Sequence, residues 1–461
     1  CGGEVRVIDR VDEAPHERES DRRVTVTFDA AAPAALVCRA RDDGADRVLL
    51  ESPAATTHGF EVMGLRPNAT YDCAVGPTCP LGPSDRFTLP IGPPDGFDPQ
   101  VTATSDGPPP PGWLLMGVET EGCIGPGALA IFDPAGRLRW HYPLPYTGMD
   151  YEILDLGGRQ LVYGGHTEGP GPVALDLWDG VLWAADLPGD AFFHHDVTFA
   201  PDGRLATLEE RTVTVDGDSW TGFAVRAFDP DTFEVSWEYD SQRAADEGAL
   251  PPGSGDAWHA NWIRWIDHGA GEKLYVSLCA IQQVMRIDVA TGATDWVFGA
   301  GRDFTLVDPG GAPLPDGRYT QCQHGLDVSD DGTSVLAYDN GRQRGESRVV
   351  EYGIDGLVAT ERWAWTDGWY ESLLGDADWL PDGSVLVTQA HSECYGESDR
   401  SEIVRIDPTT GAETWRMAFE DEQMAIYRSE WIDGCRWFGN VGQCPALEPR
   451  WAELAAALLD R

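Results

Sequence analysis

From about residue 112 to residue 445, apolar and polar positions fall into a repeating unit. In each copy an apolar strand ends on a tight turn that usually contains Asp, and a Trp follows a few residues later. The copies are Phe132-Asp133 with Gly136 and Trp140, Leu175-Asp176 with Gly180 and Trp183, and Phe228-Asp229 with Trp237. They continue as Ile287-Asp288 with Gly292 and Trp296, Tyr352-Gly353 with Gly356 and Trp363, and Ile406-Asp407 with Gly411 and Trp415. Hairpins turning at Asp202-Gly203, Asp331-Gly332 and Asp382-Gly383 lie between them, each followed by apolar strand residues. The pattern predicts an all-β fold, and six copies predict a six-bladed β-propeller of four strands per blade. Each Trp is expected to dock on the neighbouring blade.

The flanks read differently. Residues 24–92 are predicted to form a small β-sandwich, because Val24 to Phe28 alternates as a strand does. Leu65-Arg66-Pro67-Asn68-Ala69-Thr70-Tyr71 resembles the tyrosine corner of a fibronectin type III domain. Cys73 follows two residues later and could pair with Cys38 or Cys79. Such a module is expected to be a spacer without chemistry. Residues 93–111 are Pro-rich and predict a stiff, extended linker. Residues 446–461 predict a helix with Trp451, Leu454 and Leu458 on one side, capping or latching the propeller.

Composition narrows the function. The 461 residues carry 77 acidic and 33 basic side chains, a formal net charge of −44, and Lys273 is the only lysine. A nucleic-acid binder needs a basic face, so that class is disfavoured. Hydrophobic residues make up 42% and aromatic residues 10%, which excludes wholesale disorder. No apolar run approaches the ~18 residues of a membrane helix. The sequence opens on Cys1-Gly2-Gly3, which resembles a mature bacterial lipoprotein. That resemblance implies lipidation of Cys1, residues 1–23 as a flexible tether, and export to the outer membrane or cell surface. Disulfides then become permissible. Cys435 and Cys444 are expected to pair, and Cys123 could reach Cys394 if the ring closes. With Cys1 set aside nine cysteines remain, so at least one is expected to be free or broken from a pair.

Three histidines share a register. His195 lies eight residues before turn Gly203, and His324 lies eight before turn Gly332. His259 occupies the corresponding place in the intervening blade. In a propeller that position opens the innermost strand, so three consecutive blades aim a histidine at one mouth of the channel. Period two places Asn261 on the face of His259 and Cys322 on the face of His324. His194 adjoins the cluster, and the register favours His195 as the residue facing the channel.

His194-His195-Asp196, Trp258-His259-Ala260-Asn261, Gln323-His324-Gly325 and Tyr338-Asp339-Asn340-Gly341 resemble the motifs of bacterial arylsulfotransferases, and Tyr427-Arg428-Ser429-Glu430 resembles that family's last strand. The resemblance covers roughly residues 112–445. It implies transfer of a sulfuryl group from a phenolic sulfate ester to a phenol. His324 would be the nucleophile that is transiently sulfurylated. His195 and His259 would be catalytic partners, with Asn261, Arg428 and His194 binding substrate. No cofactor is implied, the partners are small aryl sulfates and phenols, and the membrane is met only through a lipid anchor. The resemblance departs at one position, where the family's arginine after a Val-Ser-Ser run is Cys279. Two alternatives remain open. One is a propeller that lost catalysis and binds a ligand or protein at the cell surface. The other is a metal site built from Cys279 and Cys322 with His195, His259 and His324. The bland reading of the two cysteines is an inter-blade disulfide.

Overall fold

The structure is a computed structural model that describes residues 4–12, 21–94, 96–97, 99–107, 112–119, 127–144, 152–157, 160–164, 171–185, 192–251, 255–256, 258–391, 400–420 and 424–460. Cys1, Cys123 and Cys394 lie outside them, and so does any lipid anchor or Cys123–Cys394 pair.

The N-terminal module is built on two long bent strands, Arg22–Ala40 and Arg47–Val62, which pair with each other in both halves and break register between Thr27 and Ala34. The first half also pairs with Val7–Asp12, the second with Thr70–Pro77, and Asp85–Pro90 completes the sheet. Val24, Val26, Leu36, Phe60, Tyr71 and Val75 fill its core. The Tyr71 hydroxyl accepts a hydrogen bond from the Arg66 backbone N–H at 3.0 Å. The tether expected over 1–23 is corrected at Val7–Asp12, which is a paired strand. The linker expected over 93–111 is corrected at Val101–Ser105, a strand paired antiparallel to Trp415–Phe419.

Among the described residues six further sheets follow, antiparallel except where Thr305–Val307 pairs parallel to Val358–Trp365. Their innermost strands are Glu152–Gly157, Phe192–Phe199, Ala260–Asp267, Gln323–Val328, Asp376–Trp379 and Ala425–Ile432. The ring closes on strands distant in sequence. Ala425–Ile432 pairs with Trp113–Glu119 to complete the sheet that also holds Gly127–Phe132 and Leu138–Pro143. The repeat has a concrete purpose in this closure. The indole N–H groups of Trp140, Trp237 and Trp415 donate to the backbone carbonyls of Leu177, Val289 and Pro134. Each carbonyl directly follows a turn Asp of the adjacent sheet. Those Asp carboxylates accept backbone N–H groups of their own turns, as Asp133 does from Ala135 and Arg137.

Beyond the ring the chain forms the helix Gly434–Phe438 and then Glu448–Leu454. Trp451, Leu454 and Leu458 are buried as their spacing predicts, but against Ala35, Val37, Leu49 and Ala74. The helix therefore latches the N-terminal module rather than the propeller. The cause lies in the strand. Leu36 and Cys38 face the module's core while Ala35 and Val37 point the other way, so both faces are apolar and both need cover.

The module is also fastened to the propeller. Arg139, 3% exposed, bonds the carboxylates of Asp133 at 2.6 Å and Asp46 at 2.9 Å and the carbonyl of Gly64 at 3.2 Å. Asp46 also accepts from Tyr71 at 2.6 Å, from Arg66 at 2.8 Å and from the Asn440 amide at 3.0 Å.

Disulfides join Cys38 to Cys73, Cys279 to Cys322 and Cys435 to Cys444. Cys79 is bonded as well, so no cysteine is free among the described residues. No helix among the described residues is long and apolar enough to cross a membrane.

Candidate active site

The histidines meet where the inner strands begin. His194 and His195 are 4% and 6% exposed, and their Nδ1 atoms are in hydrogen-bond contact. The His195 ring stands perpendicular to that of His259, with centroids 4.9 Å apart. The shared register holds for two of the three. His195 and His324 each lie two residues before Val197 and Leu326, where pairing resumes past a bulge, whereas His259 lies three before Trp262. All three entries carry backbone in the left-handed region, with φ of 62° at His195, 45° at His259 and 55° at Cys322. The bulges also break the period-two argument used for Asn261 and Cys322.

His259 is oriented by a neighbour outside the sequence motifs. Its Nδ1 lies 2.5 Å from a carboxylate oxygen of Asp256. Burial works against the Asp256 charge, yet the bond from His259 and the nearby imidazoles hold its carboxyl below the usual range.

His324 is 2% exposed, and its Nδ1 lies 3.0 Å from Oδ1 of Asn340. The Asn340 amide is itself fixed, because Nδ2 donates to the carbonyls of Glu371 at 2.8 Å and Leu374 at 2.7 Å. Oδ1 is therefore an acceptor and Nδ1 of His324 must carry the proton. The lone pair is left on Nε2. Burial first, and then the charges of His259 and Arg428, lower the His324 pKa to about 3. The ring is thus neutral across the physiological range, in one tautomer. Asn340 was visible only as part of a motif; its role needs the hairpin, in which His324 and Asn340 stand equally far from Gly332.

The remaining expected residues are accounted for structurally. Asn261 is fully buried, and its Nδ2 donates to the Gln323 carbonyl at 2.9 Å. Arg428 is 2% exposed, donates to the Asn261 carbonyl at 2.8 Å, lies 3.5 Å from Asp196 and stacks over the Tyr427 ring at 5.0 Å. That ring packs edge-on against His324, with centroids 6.1 Å apart. Arg428 is thus committed to Asp196 and the interior, and its positive charge is compensated where it stands.

The metal alternative is corrected as well. Cys279, Cys322 and His324 bring ligand atoms within 4.8 Å of one another, but the two sulfurs are bonded to each other and offer no thiolate. His195 and His259 are not part of that group. The disulfide ties the end of the strand Glu272–Leu278 to the entry of Gln323–Val328. Further along the inner strands, Asp327, Asp376, Asp378 and Glu430 line a separate cavity of about 370 Å³ with Arg264.

With this geometry in place, comparisons with known proteins are informative at one level. The Arylsulfotransferase (ASST) family profile matches residues 124–428. No curated protein matches the chain. Among solved structures, the Kuenenia stuttgartiensis hydrazine synthase is 15% identical, over 57% of this chain and 64% of that one, with a TM-score of 0.36. The chain thus spans just under two thirds of that protein. A Lactobacillus plantarum protein is 13% identical over 87% of this chain and 99% of its own, with a TM-score of 0.40. AztD from Citrobacter koseri is 9% identical over 87% and 98%, with a TM-score of 0.31.

Proposed function

This chain belongs to the arylsulfotransferase family, and from that premise we propose that it transfers a sulfuryl group from a phenolic sulfate ester to a phenol through a sulfurylated His324. The observation that carries the reading is the clamp on that ring. Asn340, itself held by two carbonyls, leaves the Nε2 lone pair of a neutral imidazole as the nucleophile.

In the first half-reaction Nε2 attacks the ester sulfur. The N–S bond forms as the S–O bond to the aryl group breaks, and Nδ1 keeps its proton on Asn340. The departing phenolate takes a proton from His259, whose Nδ1 is braced by Asp256. His195, set perpendicular to His259, confines that ring. In the second half-reaction the acceptor phenol gives its proton to His259 while its oxygen attacks the sulfur. The N–S bond breaks, and the pair returns to Nε2. Each half-reaction needs only groups of this site and the two substrates.

The disulfides of the described residues fit an oxidising compartment outside the cytoplasm. The kinetic test is initial-rate analysis with a chromogenic aryl sulfate at several phenol concentrations. Parallel double-reciprocal lines are expected; intersecting lines would replace the covalent route with direct transfer, and absence of turnover would leave a binding propeller.

A further inference from the structure

A sulfate ester is an anion, and this chain is strongly acidic, so the mouth needs a cation of its own. Arg428 is paired with Asp196. Arg344 and Arg348 both bond Asp339, at 2.9 and 2.8 Å. A further guanidinium of the same loop is different. Arg342 is exposed, forms no ion pair among the described residues, and places Nη1 3.8 Å from Sγ of Cys322. That sulfur lies within 4.8 Å of a ring nitrogen of His324.

The loop holding Arg342 is built onto the strand that carries His324. Gly341 N–H donates to the Gln321 carbonyl at 3.0 Å, and the Gln321 side-chain oxygen accepts from Gln343 N–H at 3.1 Å and Arg344 N–H at 3.0 Å. Gly341 turns with φ of 66°, and a Cβ there would collide with the Glu346 carbonyl at 2.0 Å. Only glycine lets the chain double back at this point. The loop therefore leaves Asn340, which clamps the nucleophile, and returns Arg342 over the Cys279–Cys322 disulfide. Gln321 adjoins Cys322 in the chain, so the nucleophile, the disulfide and the backbone that carries Arg342 are tied together.

We propose that Arg342 binds the sulfuryl oxygens of the donor ester, with the Cys279–Cys322 disulfide as the apolar shelf that positions its guanidinium beside His324. The proposal rests on the sulfuryl-transfer reading. It makes Arg342 the determinant that selects an anionic ester as donor over a neutral one. The planar fork suits an oxyanion, and an exposed, uncompensated charge can be neutralised by the ligand.

The test compares wild type, Arg342→Ala and Arg342→Lys with 4-nitrophenyl sulfate as donor and a neutral phenol as acceptor. Arg342→Ala is expected to lower donor kcat/KM on the order of 10- to 100-fold, chiefly through KM. Acceptor KM stays unchanged, and Arg342→Lys recovers part of the loss. Added salt raises donor KM in wild type more than in Arg342→Ala. An unchanged donor kcat/KM in Arg342→Ala, or an equal loss for donor and acceptor, overturns the proposal. Should wild type show no turnover, the transfer reading fails separately, and calorimetric titration of 4-nitrophenyl sulfate into the same proteins decides. Binding lost in Arg342→Ala sustains the anion site. Equal binding, or none by wild type, overturns it.

Discussion

At the junction between the N-terminal module and the propeller, Arg139 meets two carboxylates, and Asp46 is met by Arg139, Arg66, Tyr71 and Asn440. At the propeller mouth, imidazoles meet one another, the Asn340 amide and, at the partly buried His259, the Asp256 carboxylate. The junction pairs opposite charges until each is compensated. Burial opposes the Asp46 charge, but Arg139 and the hydrogen bonds hold its pKa down to about 2. The mouth removes charge from its central ring instead, lowering His324 to about 3 mainly by burial. Both clusters are satisfied at Asp46 and at Nδ1 of His324. At the mouth the tautomer set by Asn340 puts the His324 lone pair on Nε2, and Arg342, which forms no ion pair among the described residues, lies beside the neighbouring Cys322. Saturated charge holds structure together, and an unsaturated donor or acceptor in a defined tautomer is available for chemistry.

The contrast is sharpest at Arg139. Arg139→Leu removes the buried guanidinium that Asp46 and Asp133 share, and about 3–5 kcal/mol of stability is expected to go. Denaturant unfolding reads that loss, while turnover per folded molecule stays at the wild-type level. A loss of turnover in the folded fraction would mean that the two clusters are one machine. The reciprocal change is Asn340→Leu, which frees the His324 tautomer. Turnover is expected to fall on the order of 10²-fold or more, with a stability cost of about 1–3 kcal/mol from the two orphaned carbonyls. Activity that survives this change breaks the tautomer argument.

Acid separates the clusters again. His324 has a folded pKa near 3 against the ordinary His value of 6.5, so between these the unfolded chain binds a proton that the folded chain does not. Its stabilising contribution is complete above about 6.5 and declines as pH falls toward 3, by up to about 1.4 kcal/mol per unit. Asp46, lowered from 3.8 to about 2, starts to lose its contribution only below the ordinary carboxylate range. Urea unfolding across this range should show the upper loss vanish in His324→Leu and persist in Asn440→Ala. Asn440→Ala itself is the smallest effect, removing one bond to Asp46 for about 1 kcal/mol, with turnover intact.

Much of this was legible in the sequence. The Asp turns and Trp positions report contacts between successive sheets, so their periodicity survives in the chain. The histidines could be placed because a hairpin turn fixes distance to the inner strand. Other features depend on partners far away in sequence. Val101–Ser105 pairs with residues over 300 positions later, and its Pro-rich surroundings hide it. The docking face of the C-terminal helix is set by Ala35 and Val37, whose doubly apolar strand was readable but whose cover was not. Arg428 matched a motif, and only its distance to Asp196 shows that its charge is already met. Asn340 and Arg342 follow from the hairpin about Gly332 once its register is known.

The most direct test is the covalent state of His324. Wild-type protein mixed with a chromogenic aryl sulfate in the absence of phenol should gain the mass of one SO3 group, mapped by peptide fragmentation to His324 and discharged when a phenol is added. His324→Ala should gain nothing. An adduct on another residue, or turnover without any adduct in wild type, would contradict the assignment of His324 as the nucleophile.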